Sequence, residues 1–529
     1  FFRVFNTGFE AITQKYSRSF GFLFKNKWVT AAVLVLCLGI IYVSNKSMPT
    51  GFVPNEDRGF LFGTLELPPG SSTDRVYHLM KDFEGKAMKI EGIRNVTANT
   101  GSNFINGAGS NYGMFLIKLK PFEERKTKET AINSIIGQLF GLANREFKDA
   151  KMIFFQPPSI PGFGASSGFE LKLLDRSGGD LKDFDQVAQA YLAELNKRPE
   201  VQFAQTSFNT NYAQYEVKLD VERAKRSGVS VSGILSALQG YIGGIYAADF
   251  VRFGKQYRVM IQSLPEDRRD ESSLNKIYVS TVTGQMAPIS QFVKLERVYG
   301  PQSVTRFNLF TSANINGASN PGFSSGDAIK AVNEVAASHL SQDYGIDFSG
   351  LTREELRAGS QTLLIFILCV VFVYFILSAQ YESYMLPFSV ILSLPAGIMG
   401  AYLSQKLAGL ENNIYFQIAL VMLVGLLAKN AILIVEFALQ RRKHGLSIVQ
   451  AAIEGAVSRL RPILMTSFAF ILGLMPLVLS TGAGMLGNRS VGTGAAFGLL
   501  IGTLLGVFII PVLFVIFQNI QERIKPMDI

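Results

Sequence analysis

Residues 425–437, GLLAKNAILIVEF, place Lys429 inside an apolar stretch that extends from 414 to 439. About 12 residues, or roughly 18 Å of helix, separate this lysine from Arg441, so its side chain cannot reach water at that end. A charge at such depth normally faces a protein interior and pairs with an opposite charge. The one carboxylate in the apolar stretches, Glu436, lies roughly 10 Å further along the helix. The segment therefore predicts a membrane helix bundle with an ion pair whose second member is missing from this chain.

The composition indicates a membrane protein with a large polar insert. The chain has 529 residues, of which 48% are hydrophobic, and its formal net charge is +10. The apolar residues cluster near the start and after position 360, which is the pattern of membrane spans around an external region. Many basic residues flank apolar segments, as the positive-inside rule predicts. No basic–aromatic module is present, so we expect no nucleic-acid partner.

Cofactor and metal chemistry have little support in the sequence. The two cysteines, Cys37 and Cys369, both fall in predicted spans, and the polar insert contains none. The histidines are too far apart to suggest metal-ligand spacing. No phosphate-binding loop is present, so ATP hydrolysis on this chain is not expected. We therefore predict no cofactor and no metal site.

Six apolar segments are each near the ~20 residues that a bilayer requires. They lie at 28–46, 360–379, 385–405, 414–440, 461–480 and 491–517. Residues 1–27 read as an amphipathic helix on the membrane surface. Basic residues at the span ends place both termini in the cytoplasm and the insert of roughly 310 residues outside. The chain starts with Phe1 and has no initiator Met there, so we expect a piece of a longer protein.

The external insert shows an internal repeat of mixed strands and helices. Residues 47–165 contain predicted strands and helices in the order βαββαβ, which is the split ferredoxin-like unit. A second copy occupies 166–210 and 301–357, and residues 211–300 interrupt it as an inserted α+β domain. The fold class is therefore a six-span helical membrane domain, with five spans in 358–520, plus an external α+β region. The predicted strands are 58–67, 94–100, 113–119, 151–155, 167–174, 201–206, 303–313 and 344–349, and the helices 72–91, 129–146, 181–198 and 325–342.

This arrangement and five motifs resemble one transporter family. The motifs are PNEDRG (54–59), AQYES (379–383), AKNAILIVEFA (428–438), RLRPILMTS (459–467) and STGAG (480–484). Together they closely resemble the C-terminal half of a resistance-nodulation-division (RND) transporter, of the AcrB-like hydrophobe/amphiphile multidrug efflux type found in Gram-negative bacteria. The matching stretches cover nearly the whole chain.

The resemblance implies a secondary active transporter, not an enzyme. Family members are homotrimers in the inner membrane, with the large loop in the periplasm, and they use protons as the coupling ion. Hydrophobic drugs enter from the periplasm or the outer leaflet of the membrane, whose lipid is a further expected partner. They leave through an outer-membrane channel that a periplasmic adaptor protein bridges. The two repeats correspond to porter modules, and the insert corresponds to a docking (funnel) domain. The N-terminal half, which carries a pair of intramembrane aspartates, is the expected partner of this chain.

The resemblance assigns a proton-relay role to three residues. Lys429 matches the lysine that pairs with the aspartates in one state and releases them in another, although a static ion pair is the plainer interpretation. Thr466 and Arg459 match accessory relay positions. A threonine in a membrane helix often bonds only to its own backbone, and a basic residue at the membrane edge is often only an anchor.

Other polar and small residues in the spans have structural interpretations. Glu436 reads as a residue at the cytoplasmic edge. Four glycines are expected to permit close helix packing: Gly425, Gly492, Gly494 and Gly498.

A drug-binding region is also implied by the resemblance. Residues 99–107, NTGSNFING, match a switch loop between two strands, with Phe104 at its apolar tip. We expect the following residues to contact substrate: Phe62, Phe104, Ile105, Leu116, Phe154 and Phe155. Leu116 stands where relatives often carry an aromatic residue. Ordinary core packing is the competing interpretation of each.

Three other interpretations compete with drug efflux. A metal-ion RND exporter would use clustered methionines for a soft ion, but the loop methionines here are scattered. A protein-translocation accessory of the SecD/SecF type shares the span arrangement but not the AKNAILIVEFA motif. A purely structural scaffold does not account for Lys429.

Overall fold

The computed structural model describes residues 2–105, 107–160, 162–164, 168–320 and 322–524. The chain divides into two compact units. The first combines Phe1–Ser207 with Thr305–Ile529, and the second is Phe208–Val304. The second unit contains the segment in which the sequence predicts the inserted domain.

Two helices begin the chain, α1 (Phe2–Lys25) and α2 (Lys27–Ser47). One face of α1 is buried against the membrane helices: Phe20 is fully buried, and the Tyr16 hydroxyl donates to the carbonyl of Val507 at 2.7 Å. Other residues of α1, such as Phe22, stay exposed. The predicted amphipathic helix thus uses its apolar face at least partly to pack on protein.

The first external module has four strands and two helices. They are β1 (Phe60–Glu66), α3 (Thr73–Ala87), β2 (Ile93–Asn103), β3 (Gly107–Leu119), α4 (Ile132–Glu146) and β4 (Lys151–Phe155). The sheet is antiparallel with the order β2-β3-β1-β4. Its buried face packs on both helices around Phe83, Phe115 and Phe154. The other face is left free to line a cleft.

The segment 99–107, predicted as a loop, is mostly strand. β2 continues to Asn103 and β3 starts at Gly107, so the two strands form one long hairpin. Gly101 has φ +85° and Gly107 has φ +82°, a conformation that glycine adopts without steric cost. A register shift next to Gly101 marks a bulge. The glycines therefore bend the hairpin tip and do not form a long loop.

The second module begins with β5 (Phe169–Asp175), α5 (Leu181–Leu195) and β6 (Val201–Thr206). The Asp180 carboxylate caps α5 by accepting from the amide of Lys182 at 3.1 Å. After β6 the chain passes into the second unit.

The second unit consists of short paired elements. They are β7 (Tyr212–Leu219), α6 (Val221–Arg226), α7 (Val231–Leu238), β8 (Ile245–Arg252), β9 (Lys255–Ile261), β10 (Tyr278–Ser280), β11 (Met286–Pro288) and β12 (Val293–Gly300). The strand pairs β7–β12, β8–β9 and β10–β11 are antiparallel. Ile234, Ile289 and Phe292 lie in its small core.

The second module is completed by β13 (Thr305–Phe307), β14 (Phe310–Ser319), α8 (Ser325–His339) and β15 (Tyr344–Phe348). The strand order β6-β14-β5-β15 repeats the order of the first sheet, with β13 added beside β14. The prediction of one strand at 303–313 was wrong, because a hairpin turn interrupts it. Asn308 and Leu309 both have positive φ there, at 49° and 72°.

The remaining helices are α9 (Gly350–Tyr381), α10 (Pro387–Ile391), α11 (Leu394–Leu407), α12 (Ile414–Lys443), α13 (Ile448–Val478) and α14 (Met485–Ile524). α10 and α11 together make one candidate span, which is interrupted where Pro395 lacks an amide donor. Among the described residues, six helical segments are long and apolar enough to cross a membrane. The prediction of six spans is confirmed at that level.

Glycines bring the membrane helices close together at three of the four expected positions. A Cβ on Gly498 would lie 2.4 Å from Leu423 Cδ1, and one on Gly494 would lie 2.9 Å from the ring of Phe416. A Cβ on Gly492 would meet the backbone nitrogen of Val478 at 2.8 Å. These three glycines therefore permit close helix approach. Gly425 differs, since a Cβ added there would meet no atom within 4 Å beyond its own helical turn.

We predict that Gly498→Val destabilises the protein by about 1–3 kcal/mol, because the added methyl groups overpack the contact between α11, α12 and α14. Gly425→Val is the matched control on an open helix face. Thermal unfolding of the purified proteins in detergent measures the difference. Equal midpoints for the two variants would contradict the close-packing role of Gly498.

Candidate functional site

Lys429 lies on an exposed stripe of α12. The side chains of Ile418, Lys429 and Gln440 are exposed, and Gly425 lies one turn before the lysine on the same stripe. The opposite face of α12 is buried against α13 and α14. In the part of the chain that the structure describes, no carboxylate forms an ion pair with Lys429. The sequence predicts that Lys429 is enclosed by protein. The described helices of this chain do not enclose it, because the face of α12 that carries Lys429 is exposed.

A buried polar triad lies directly beside Lys429. The side-chain amide of Asn430 donates to Ser467 Oγ at 3.0 Å and to Thr503 Oγ1 at 3.2 Å. The Thr503 hydroxyl also donates to Ser467 Oγ at 3.1 Å. Each residue belongs to a different helix, and each is at most 6% exposed. Since no water satisfies polar groups in an apolar interior, these mutual bonds fix α12, α13 and α14 against one another.

Two of the three expected relay residues adjoin members of the triad in the sequence. Lys429 and Thr466 each precede a triad member, Asn430 and Ser467 respectively. Thr466 is exposed and its hydroxyl donates to the carbonyl of Ile463 at 3.2 Å, the backbone bond that sequence reasoning gave as its plainer interpretation.

Arg459 is not brought to Lys429. Its guanidinium carbon lies 4.5 Å from the ring centroid of Phe437, and that of Arg441 lies 5.0 Å from the same ring. Phe437 is about 12 Å further along α12 than Lys429. Two cation–π contacts therefore hold the basic residues at one end of the helix pair. Within this chain Arg459 has the position of an anchor.

A row of apolar side chains crosses the open face of the first sheet. Phe62 on β1 is directly opposite both Leu116 on β3 and Phe155 on β4. Directly opposed residues share a face of the sheet, so these three lie side by side. The rings of Phe62 and Phe155 meet edge to face, with centroids 6.1 Å apart. Leu116 is 42% exposed at the outer end of the row.

The tip of the β2–β3 hairpin covers this row. Phe104 stacks on Phe62 with centroids 4.2 Å apart and an interplanar angle of 20°. The amide of Ile105 donates to Asn103 Oδ1 at 2.8 Å, which holds the tip in its turn. The stack closes one end of the apolar row.

A cleft of about 740 Å³ separates this aromatic wall from the second module. Phe62, Phe104 and Ile105 line one side, and Asn314 and Asn316 of β14 line the other. Glu170 also faces the cleft and accepts a hydrogen bond from the Ser349 hydroxyl at 2.9 Å. The cleft therefore combines an apolar wall with a polar one.

Phe154 belongs to the core and not to the aromatic row. It is 1% exposed and stacks on Phe83, with centroids 5.4 Å apart. Successive residues of a strand point to opposite faces, so Phe155 lies on the face of Phe62 while Phe154 lies on the face of the helices. A second cavity, which is separate from the cleft, is lined by both Phe154 and Phe155, and substrate contact by either residue stays a prediction.

Sequence reasoning missed the triad and the polar wall. Asn430, Ser467 and Thr503 could have been flagged, because polar residues inside apolar spans require partners. Asn314 and Asn316 carry no such signal, since alternating polar residues are ordinary in a strand. Among the described residues, no group of three or more His, Cys, Asp or Glu side chains is placed to hold a metal ion.

The family of the chain is decided by a match over nearly its entire length. The model of the AcrB/AcrD/AcrF family matches residues 1–518. The chain belongs to this family. Membership confirms the resemblance to RND efflux transporters that the sequence motifs indicated.

Curated relatives of this AcrB/AcrD/AcrF family member include three efflux proteins. The multidrug/solvent efflux pump membrane transporter MepB of Pseudomonas putida is 36% identical over 536 residues, covering 99% of this chain and 50% of the relative. The toluene efflux pump membrane transporter TtgE, also of Pseudomonas putida, is 34% identical over 531 residues, with the same coverage. The multidrug resistance protein MdtF of Escherichia coli is 34% identical over 530 residues, covering 99% and 51%.

The chain spans about half the length of the curated relatives it matches. The relatives' names describe multidrug, solvent and toluene efflux. They favour the drug-efflux interpretation over a metal-ion exporter or a protein-translocation accessory.

We predict that Asn430→Ala lowers stability by about 1–2 kcal/mol, because the variant removes two hydrogen bonds from an apolar interior. Thr466→Ala is the matched control on α13, since Thr466 is exposed and bonds only to the adjacent turn in this structure. Thermal unfolding of both purified variants in detergent checks the prediction. A larger loss for Thr466→Ala would show that the triad does not hold the helices.

Proposed function

We propose that this chain is one half of a proton-driven exporter of hydrophobic and amphiphilic compounds. The observation that carries the proposal is the cleft, where the stacked rings of Phe62 and Phe104 face the polar residues Asn314 and Asn316. Aromatic faces bind flat apolar molecules by burying area, without strict hydrogen-bond geometry. A site of this kind accepts chemically varied ligands, in keeping with the multidrug and solvent efflux named for the relatives.

Proton coupling is assigned to Lys429 together with carboxylates outside this chain. The exposed stripe of α12 carries Lys429 beside Gly425, whose lack of a side chain allows another helix to approach closely. We place the N-terminal half there, with its intramembrane aspartates facing the lysine. A nearby ammonium favours an ionised carboxylate, and its withdrawal favours the protonated form. Thr466 belongs to this relay as an adjacent hydroxyl, and Arg459 is retained only as an edge residue.

The wider assembly follows the family. The two sheets act as ferredoxin-like porter modules in the periplasm, and Phe208–Val304 acts as a docking domain. The complete transporter is a homotrimer in a Gram-negative inner membrane, with both termini of this chain in the cytoplasm. A periplasmic adaptor and an outer-membrane channel complete the export route. The shared sheet order of the two modules and the six apolar helical segments support this assignment.

We expect Lys429→Ala to reduce gradient-driven drug transport by roughly tenfold or more, because the coupling carboxylates lose their counter-charge. Lys443→Ala, at the exposed end of α12, is the matched control. Both variants are reconstituted in liposomes with the N-terminal half, and drug uptake is followed under an imposed pH gradient. Near-normal transport by a well-assembled Lys429→Ala protein would reject the coupling role.

We expect Phe104→Glu to impair export of large compounds more than small ones, because the charge disrupts the Phe62 stack that closes the aromatic row. Tyr77→Glu, on the exposed side of α3, controls for the added charge. Resistance of cells expressing each variant is compared across drugs of increasing size. A uniform loss over all sizes would indicate misfolding and would count against a gating role.

A further inference from the structure

The ten residues that begin two positions after the end of α2, PTGFVPNEDR, contact several separate parts of the first unit. Residues 49–58, here named the connector, contain no helix and only an isolated bridge at Thr50. They nevertheless contact two membrane helices and both external modules. Their last five residues belong to the PNEDRG motif, and of these five only Arg58 also lines the cleft.

The connector is bonded through its backbone to the start of α12. The amide of Asn412 donates to the carbonyl of Pro49 at 2.9 Å, and the amide of Gly51 donates to the carbonyl of Asn412 at 3.2 Å. The amide of Ile414, the first residue of α12, donates to the carbonyl of Phe52 at 3.0 Å. These bonds form a short parallel ladder. A displacement of this end of α12, the helix that carries Lys429, therefore acts directly on the connector.

The connector also caps α14. Glu56 Oε1 accepts a hydrogen bond from the backbone amide of Gly487 at 2.8 Å, in the first turn of the helix. First-turn amides have no partner within their own helix, and a carboxylate there also interacts favourably with the helix dipole. Beside it, the Asn413 side chain joins the starts of the two helices, donating to Ser490 Oγ at 3.0 Å and accepting from the amide of Phe416 at 3.0 Å.

The second module rests on the connector through α8. The amide of Gly326 donates to the carbonyl of Thr50 at 3.0 Å, and a Cβ on Gly326 would lie 2.4 Å from Thr50 Oγ1. On the other side, a Cβ on Gly51 would lie 2.7 Å from Glu411 Oε2. Burial raises the pKa of the Glu411 carboxyl, and the charge of Asp327 adds to the rise. The contact is closely packed on both sides of the connector backbone.

The first module is held by the two charged residues at the end of the connector. Asp57 forms a two-bond pair with Arg125, at 2.8 and 3.1 Å, and the Arg125 side chain is only 2% exposed. Arg58 donates to the carbonyl of Ser159 in the segment after β4. A bidentate pair of this kind fixes orientation as well as distance.

We propose that the connector is the coupling element of this half-transporter, and that Glu56 and Gly51 are its positioning residues. It transmits displacement of the α12 and α14 ends to α8 of the second module and to the Arg125 region of the first. This inference rests on the proposed transport function. A chain of packed and hydrogen-bonded groups can carry displacement between two sites, and the backbone bonds on either side of the connector form such a chain.

Two variants loosen the connector without touching the cleft or Lys429. Glu56→Gln keeps the shape of the side chain and removes its charge from the α14 cap. Gly51→Ala forces the Glu411 carboxyl away from the ladder. The matched controls are Glu91→Gln, at an exposed glutamate of the first module, and Gly137→Ala, where no atom lies within 4 Å of an added Cβ.

The transport test uses liposomes that contain each variant with the N-terminal half. Drug transport and proton entry are measured in the same vesicles under a pH gradient. We expect drug transport to fall on the order of tenfold while proton entry continues. The loss of a helix cap changes an equilibrium constant by about that factor. The controls keep the wild-type ratio of protons to drug. The coupling role would be overturned if both connector variants kept the wild-type ratio of protons to drug. In that case drug transport and proton entry would fall together or would not fall at all.

Hydrogen exchange tests the connection independently of transport. In Glu56→Gln, we expect faster amide exchange at Gly487 and also at the distant connector contacts Gly326 and Ile414. Exchange that changes only at Gly487 would mean that the connector does not transmit displacement. If the wild-type assembly shows no gradient-driven transport, the proposed function fails, and the exchange pattern still decides whether the connector links α14 to α8.

Discussion

The structure depends on one constraint: a polar group inside an apolar helix bundle must find its partner in protein. Asn430 meets the constraint within this chain, because Ser467 and Thr503 each accept one of its amide hydrogens. Lys429, one residue earlier, does not meet it with any carboxylate that the structure describes. α12 therefore has two different faces. The face with Asn430 holds three helices together, and the face with Lys429 requires a partner from outside this chain.

In the external modules, the side chains of each β-strand alternate between the buried core and the opposite face of the sheet. On β4, Phe154 enters the core while Phe155 packs edge to face on Phe62 on the other side of the sheet, so one short strand both stabilises the module and supports the aromatic row. The adjacent hairpin brings Phe104 onto Phe62 by bending at glycines. The second module supplies amide and carboxylate groups across the cleft. The binding wall is therefore a by-product of ordinary sheet packing.

Close backbone approach is what joins the parts of the first unit. Gly498 and Gly494 allow α14 to lie against its neighbours, and Gly326 and Gly51 allow the connector to lie between α8 and the start of α12. In each case a side chain would occupy space that another backbone or side chain fills. Small residues thus set both the packing of the membrane helices and the contact between helices and modules.

The sequence alone determined the six apolar spans, the repeated βαββαβ order and the family, because hydrophobic length, periodicity and motifs are properties of local stretches. It also identified Lys429, since a charge in an apolar run is visible without a structure. Only the tertiary structure decided that Phe154 is core, that Arg459 stacks on Phe437 far from Lys429, and that residues 99–107 are mostly strand. Those outcomes depend on which face of a helix or strand packs against which other element. The spacing of residues along the chain does not specify which element that is.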